Sequence, residues 1–142
     1  KARKLSLEKN TLLISEGEWL ATLYPTEISS FDDYIKYSAI LRPLMKTHVQ
    51  KILLTGTNVV LDFPANTAKQ RMWFKELCEE IKAGHNLIFI DVSDERCLEQ
   101  ISKRRIEQPK RAPFDTKEMF LYVSKHFEAP LEKEGLLFNV IN

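Results

Sequence analysis

The chain has 142 residues, 44% of them hydrophobic, which suits one domain with a real core. Lys and Arg number 21 against 20 Asp and Glu, and the net charge of +1 gives no bias towards a long nucleic acid or an anionic membrane surface. No apolar run approaches the roughly 20 residues of a membrane span, no signal-peptide pattern is present, and Cys78 and Cys97 have no metal or redox spacing, so a soluble, cytoplasmic protein with two reduced thiols is expected.

Lys1–Lys9 reads as a short basic helix with Leu5 and Leu7 as its apolar contribution. Thr11–Ser15 is a strand candidate, and Gly17–Tyr24 a short helix that stops before Pro25. Ser30 with Asp33 forms a capping box, and the helix it opens runs towards Leu54, with a break or kink expected at Pro43. Gly56 fits the position just past the helix end.

Asn58–Phe74, NVVLDFPANTAKQRMWF, is the stretch around which the rest is organised. The apolar run Val59–Leu61 ends in a single acid, Asp62. Phe63–Pro64 breaks the strand pattern, Asn66–Thr67 offers an N-cap, and a helix over Ala68–Ala83 is stopped by Gly84. A buried parallel strand that delivers a carboxylate at its C-terminal end is how open α/β sheets build sites. Leu87–Val92 is a further apolar strand, with Asp91 ending it rather than doing chemistry. Ser93 caps a helix over Asp94–Arg105. Ile106–Phe114 is a loop with two prolines and the basic pair Lys110 and Arg111. Asp115 with Glu118 caps a helix to about Phe127, and Leu136–Ile141 is a last strand. Apolar strands alternating with helices predict an α/β fold with a parallel, doubly wound sheet. No linker splits the chain, so residues 1–142 are expected to form one domain. Trp19, Tyr24, Tyr34, Tyr37, Trp73 and Phe74 read as packing aromatics, and His48, His85 and His126 lack metal spacing.

Several blocks in order, LLISEGEWLATLYP, FDDYIKYSAILRPL, NVVLDFPANTAKQRMWF, DVSDERCLEQISKRR and EGLLFNVI, resemble the small P-loop kinases. The likeness is to AAA-like ATP-binding proteins related to zeta toxins and to the kinase domain of polynucleotide kinase. It covers essentially the whole chain. It implies a three-layer α-β-α fold of the P-loop nucleoside triphosphate hydrolase type, strand order 2-3-1-4-5. The phosphate-cradling G-x-x-x-x-G-K-[ST] motif is not among these residues. Either the working protein lacks this loop, or its strand and loop lie upstream of Lys1, which the topology favours. Without that strand, Val59–Asp62 and Leu87–Val92 stand two strand spacings apart with unpaired backbone between them.

The resemblance also implies residue roles. Asp62 is placed as the Walker B carboxylate that organises Mg²⁺ or the acceptor, against the plainer reading of a turn-capping acid. The family's acceptor base falls at Gly17, so Glu16 or Glu18 would stand in, unless both are ordinary first-turn acids. Asn66 and Arg71 match N-x-x-x-x-R, with Asn66 orienting substrate and Arg71 binding an anionic group. Otherwise Asn66 is a cap and Arg71 pairs with Glu76 or a neighbouring helix. Arg104, Arg105 and Arg111 fall in a segment, 104–115, where relatives place a mobile lid over the phosphates, with Arg105 as a catalytic candidate. Alternatively Arg104 and Arg105 simply complement a helix C-terminus. The function implied is an ATP- and Mg²⁺-dependent phosphotransferase acting on a hydroxyl of a small molecule or nucleotide. Its partners are a nucleotide and a small-molecule acceptor, with no membrane and with nucleic acid disfavoured. The alternative is a catalytically degenerate nucleotide-binding or interaction domain, which Gly17 favours.

Overall fold

Two parallel strand pairs organise the chain, one in each of two units. The structure, a computed structural model, describes residues 1–141 and divides into Lys1–Phe63 and Pro64–Asn142.

The first unit contains α1 (Ala2–Leu5), β1 (Thr11–Ser15), α2 (Glu16–Leu23), α3 (Phe31–Leu54) and β2 (Asn58–Asp62). β1 and β2 are parallel, in register from Thr11 opposite Asn58 to Ser15 opposite Asp62. Their C-terminal tips therefore lie side by side. Parallel strands need a long crossover, which α2 and α3 supply. Ile14, Leu20, Ala21, Ile28, Leu41, Met45 and Val49 are the buried apolar residues here. On α3 the buried positions Ser38, Leu41, Met45 and Val49 recur every three or four residues, so one stripe of the helix faces inward. α1 is shorter than its basic pattern suggests, and Leu7 is exposed beyond it.

Ser30 caps α3, its Oγ accepting the Asp33 N–H at 3.1 Å. Asp33 does not return the bond to Ser30. Its Oδ2 accepts the Ser29 N–H at 3.2 Å and the Ser29 hydroxyl at 3.1 Å. These donors, the Ser29 N–H foremost, hold the Asp33 carboxyl below its ordinary value. The break expected at Pro43 does not occur, and α3 runs unbroken through it. A proline removes one backbone bond, but Leu41 and Met45 on either side are buried while Pro43 faces solvent. Side-chain packing thus keeps the helix continuous. Gly56 follows the C-cap Thr55 at φ +82, the left-handed geometry expected of it.

The second unit contains α4 (Ala68–Glu80), β3 (Leu87–Ile90), α5 (Asp94–Glu107), α6 (Lys117–Lys125) and β4 (Phe138–Ile141), with short 3-10 turns at Pro109–Arg111 and Glu132–Glu134. β3 and β4 are parallel, from Leu87 opposite Phe138 to Ile90 opposite Ile141. Both are shorter than the apolar runs that announced them. α4 opens with a full capping box: Thr67 Oγ1 accepts the Gln70 N–H, and Gln70 Oε1 accepts the Thr67 N–H. It ends at Glu80, not Ala83, and Gly84 is not its stop. Lys82 takes the left-handed position instead, at φ 54. The Ala83 N–H closes on the Cys78 carbonyl at 2.9 Å and the Lys82 N–H on that of Glu79 at 3.1 Å, a Schellman closure built without glycine. α6 is capped by Thr116, whose Oγ1 accepts the Met119 N–H at 3.1 Å, and not by Asp115, which is buried.

Among the described residues of this unit, the fully buried side chains are Leu77, Arg71 and Asp115. Two of these three are charged, so ion pairs hold much of its interior. Cys78 and Cys97 are free and half-buried. Burial pushes both thiols up, with Glu79 and Asp94 adding to it. No helix among the described residues is long and apolar enough to cross a membrane.

Candidate functional site

In the first unit the chemistry gathers at the tips of β1 and β2. Ser15 and Asp62 are register partners, and the Ser15 hydroxyl donates to Asp62 Oδ2 at 3.2 Å. Asp62 remains exposed, so its carboxylate is accessible. Glu18, in the first turn of α2, accepts from Arg3 Nη2 at 2.6 Å. The Glu18 carboxylate raises the already high pKa of Arg3, and the charge of Asp62 adds to the shift. Asp62, Glu18 and Arg3 thus form one exposed polar edge, with the buried Ser15 hydroxyl bonded to Asp62 behind it.

Glu16 goes the other way. It is 1% exposed and committed to α3. Tyr34 donates its phenol to Oε1, Ser38 donates its hydroxyl to the same oxygen at 3.2 Å, and Arg42 Nε lies 3.3 Å from Oε2. The Arg42 N–H is directed at Ser38 Oγ, so Oε2 receives charge but no hydrogen bond. Burial pushes the Tyr34 phenol well above its ordinary value, and the negative charge of Glu16 pushes it further. Tyr34 is therefore a polar anchor as well as the packing aromatic its spacing suggested, its ring centroid 6.0 Å from that of Phe31. Tyr24 and Tyr37 do pack together, with ring centroids 4.2 Å apart and planes tilted by 34°. Tyr34→Phe should cost about 1–3 kcal/mol, the penalty for stripping a donor from a buried acceptor. A urea midpoint lowered with an unchanged m-value is the expected reading.

In the second unit Asn66 spends its backbone on structure. Its N–H donates to Gln70 Oε1 at 2.8 Å, and its carbonyl accepts the Glu128 N–H at 2.8 Å. Glu128 in turn accepts the Ala68 N–H at 2.9 Å, a carboxylate at the start of α4 where the helix dipole favours it. Arg71 is 1% exposed. Its partner is Glu134, not the Glu76 expected one turn along its own helix. Nε and Nη2 each donate to the Glu134 carboxylate at 2.8 Å, Nη1 to the Ala65 carbonyl at 2.9 Å, and Nη2 also to that of Ala129 at 3.4 Å.

Segment 104–115 closes on itself. Arg104 makes a two-pronged ion pair with Asp115, Nε to Oδ2 at 2.7 Å and Nη2 to Oδ1. Arg105 Nη1 donates to the Ala112 carbonyl at 3.1 Å and the Asp115 carbonyl at 2.9 Å. Arg111 Nε lies 3.7 Å from Asp115 Oδ2. All three expected lid arginines are brought to one residue that the sequence had placed as a helix cap.

The residues that sequence reasoning passed over are Arg3, Tyr34, Ser38, Arg42, Asp115 and Glu134. Tyr34, Ser38 and Arg42 share one face of a helix by four-residue spacing, which was a usable signal. Glu134 lies 63 positions from Arg71, and nothing local links them.

Asp62 supplies one accessible carboxylate beside a hydroxyl. Among the described residues no three His, Cys, Asp or Glu side chains gather into a metal cage. Mg²⁺ is bound through oxygen, commonly by one or two carboxylates together with substrate phosphates and water. The donors present fit that mode of binding.

No curated protein and no solved structure matches the chain. The profile of an AAA domain family matches residues 1–130, most of the chain. Such families are of the P-loop nucleoside triphosphatase type, and the parallel strand pairs with helical crossovers accord with that class. The chain belongs to the AAA domain family, a nucleotide-binding family of P-loop type.

Proposed function

We propose that the protein is an ATP- and Mg²⁺-dependent phosphotransferase whose acceptor is a hydroxyl on a small molecule or nucleotide. The observation that carries this reading is Asp62, exposed at the C-terminal tip of a parallel strand and paired with Ser15, in a chain of this family. Mg²⁺ supplies neutralisation of the charge that builds on the transferring phosphoryl group. Asp62 would hold it. Glu18, at the same edge, is the better-placed stand-in for an acceptor base, since Glu16 is buried and bonded. Arg104, Arg105 and Arg111 would bind phosphate, and the side chain of Asn66 would orient substrate. Arg71 would act on an anionic group only by giving up Glu134. β1–β2 and β3–β4 would correspond to the neighbouring strands 2–3 and 4–5 of the 2-3-1-4-5 order, and this supports a kinase-type sheet.

A second reading, binding without turnover, is favoured by Gly17 at the family's base position and by the commitment of Glu16 to Tyr34 and Ser38. Calorimetric titration of the intact protein with ATP, with and without Mg²⁺, separates these from no nucleotide function. Mg²⁺-dependent binding accompanied by phosphoryl transfer is the expected result. Binding with no transfer to any hydroxyl acceptor selects the second reading, and no binding removes both.

A further inference from the structure

The three arginines of segment 104–115 differ in how much of each guanidinium is taken, and the difference traces to Asp115. Asp115 is 3% exposed, and its carboxylate faces Arg104 and Arg111 while its carbonyl receives Arg105. One buried carboxylate against three guanidinium groups leaves the cluster positive. A guanidinium has two edges that accept a two-pronged partner. On Arg104, Asp115 fills the Nε/Nη2 edge, and the Nη1 end has no acceptor among the described residues in a side chain that is 40% exposed. On Arg105, Nη1 is tied to two carbonyls in a residue that is otherwise exposed. On Arg111, the buried Nε has no hydrogen-bond partner among the described residues.

The backbone reinforces this. The Gln108 N–H closes on the Arg104 carbonyl at 2.7 Å, the Arg111 N–H on that of Gln108 at 2.9 Å, and the Asp115 N–H on that of Arg111 at 3.1 Å. The Asp115 backbone is thus tied to the turn that follows Arg104. A long arginine loses rotamer freedom when it binds, and an anchor that already holds one edge removes most of that cost.

We infer that Asp115 is a positioning residue for an anionic ligand: its carboxylate grips the inner edge of Arg104 and presents the outer edge, with Arg105 held beside it by the Asp115 carbonyl, to a polyphosphate. This rests on the nucleotide reading above. It assigns Asp115 an orienting role, distinct from a carboxylate that must be displaced before phosphate binds.

Arginine side-chain ¹⁵N NMR of the intact protein, titrated with Mg²⁺ and inorganic tripolyphosphate, tests it. In the free protein the Arg104 Nε–H should be slow to exchange. On addition of tripolyphosphate its Nη signals should move while Nε–H stays protected. In Asp115→Asn the Nε–H protection should be lost, and tripolyphosphate should bind about 10-fold more weakly, the scale of one charge-assisted contact. Loss of the wild-type Nε–H signal on binding would show displacement and overturn the inference. So would Asp115→Asn binding as tightly as wild type or more tightly. If Asp115→Asn does not fold, by circular dichroism, the wild-type titration decides alone. Wild-type protein that binds neither ATP nor tripolyphosphate overturns the nucleotide reading together with this one. Wild-type binding with an unaffected variant overturns only this one.

Discussion

Arg71→Ala should lower the stability of the protein by about 3–5 kcal/mol, the usual cost of removing one partner from a buried ion pair. The loss is large because Arg71 is a staple rather than a surface charge. Its guanidinium joins the Ala65 turn, the Ala129 carbonyl and the Glu134 carboxylate. Removal leaves Glu134 without its cation and two carbonyls without a donor. Thermal unfolding should fall by roughly 10 °C. Arg71→Lys should recover little, because an ammonium cannot reproduce the planar two-edge contact. The double variant Arg71→Met, Glu134→Leu should be milder than either single change, since it leaves no unpaired charge. A double variant as unstable as Arg71→Ala would show that packing, not charge pairing, sets the cost.

The same pair gives stability a pH dependence with a definite sign. Hydrogen bonding from Arg71 holds the Glu134 carboxyl below its ordinary value. A carboxyl lowered by folding contributes stability that is present above the ordinary glutamate range. That contribution is lost as the pH falls through the folded-state value. Urea midpoints measured from neutral pH downward should therefore drop more steeply for wild type than for Arg71→Ala, which has no such contribution left to lose.

Asp62→Asn should reduce phosphoryl transfer from ATP by about 100-fold or more while leaving the fold intact. Removing a metal-holding carboxylate forfeits several kcal/mol of transition-state stabilisation, and each 1.36 kcal/mol or so is tenfold in rate. The substitution should be silent in folding because Asp62 is exposed and an asparagine oxygen still accepts from Ser15. Surface changes of this kind usually stay within about 0.5 kcal/mol. Steady-state transfer by the intact protein across a Mg²⁺ series checks it, and the Mg²⁺ requirement should rise with the substitution. Unchanged turnover would remove Asp62 from the metal role.

The strands and helices were legible because their signals are local. An apolar run that ends in an acid gives β2 and Asp62, and four-residue spacing gives the inward stripe of α3. Thr67, Ser93 and Ser30 fix three helix starts through hydrogen bonds that span only a few residues. Where a local rule had competitors, tertiary packing chose. Pro43 stayed inside a helix because the stripe around it is buried. Lys82 took the turn that Gly84 was expected to take, since the backbone closure on Cys78 and Glu79 requires only one left-handed residue.

The sequence by itself determined the α/β class, the place of Asp62 at a strand tip and the run of arginines in the last turn of α5 and just beyond it. Each follows from periodicity or from neighbours within one or two turns. Only the tertiary structure decided that Glu16 is buried against Tyr34 and Ser38 while Glu18 stays outside, that Arg71 closes on Glu134, and that Asp115 gathers Arg104, Arg105 and Arg111. The physical reason is common to all three. A buried charge must find a partner whatever its distance along the chain, and which partner it finds is set by packing, which no local pattern encodes.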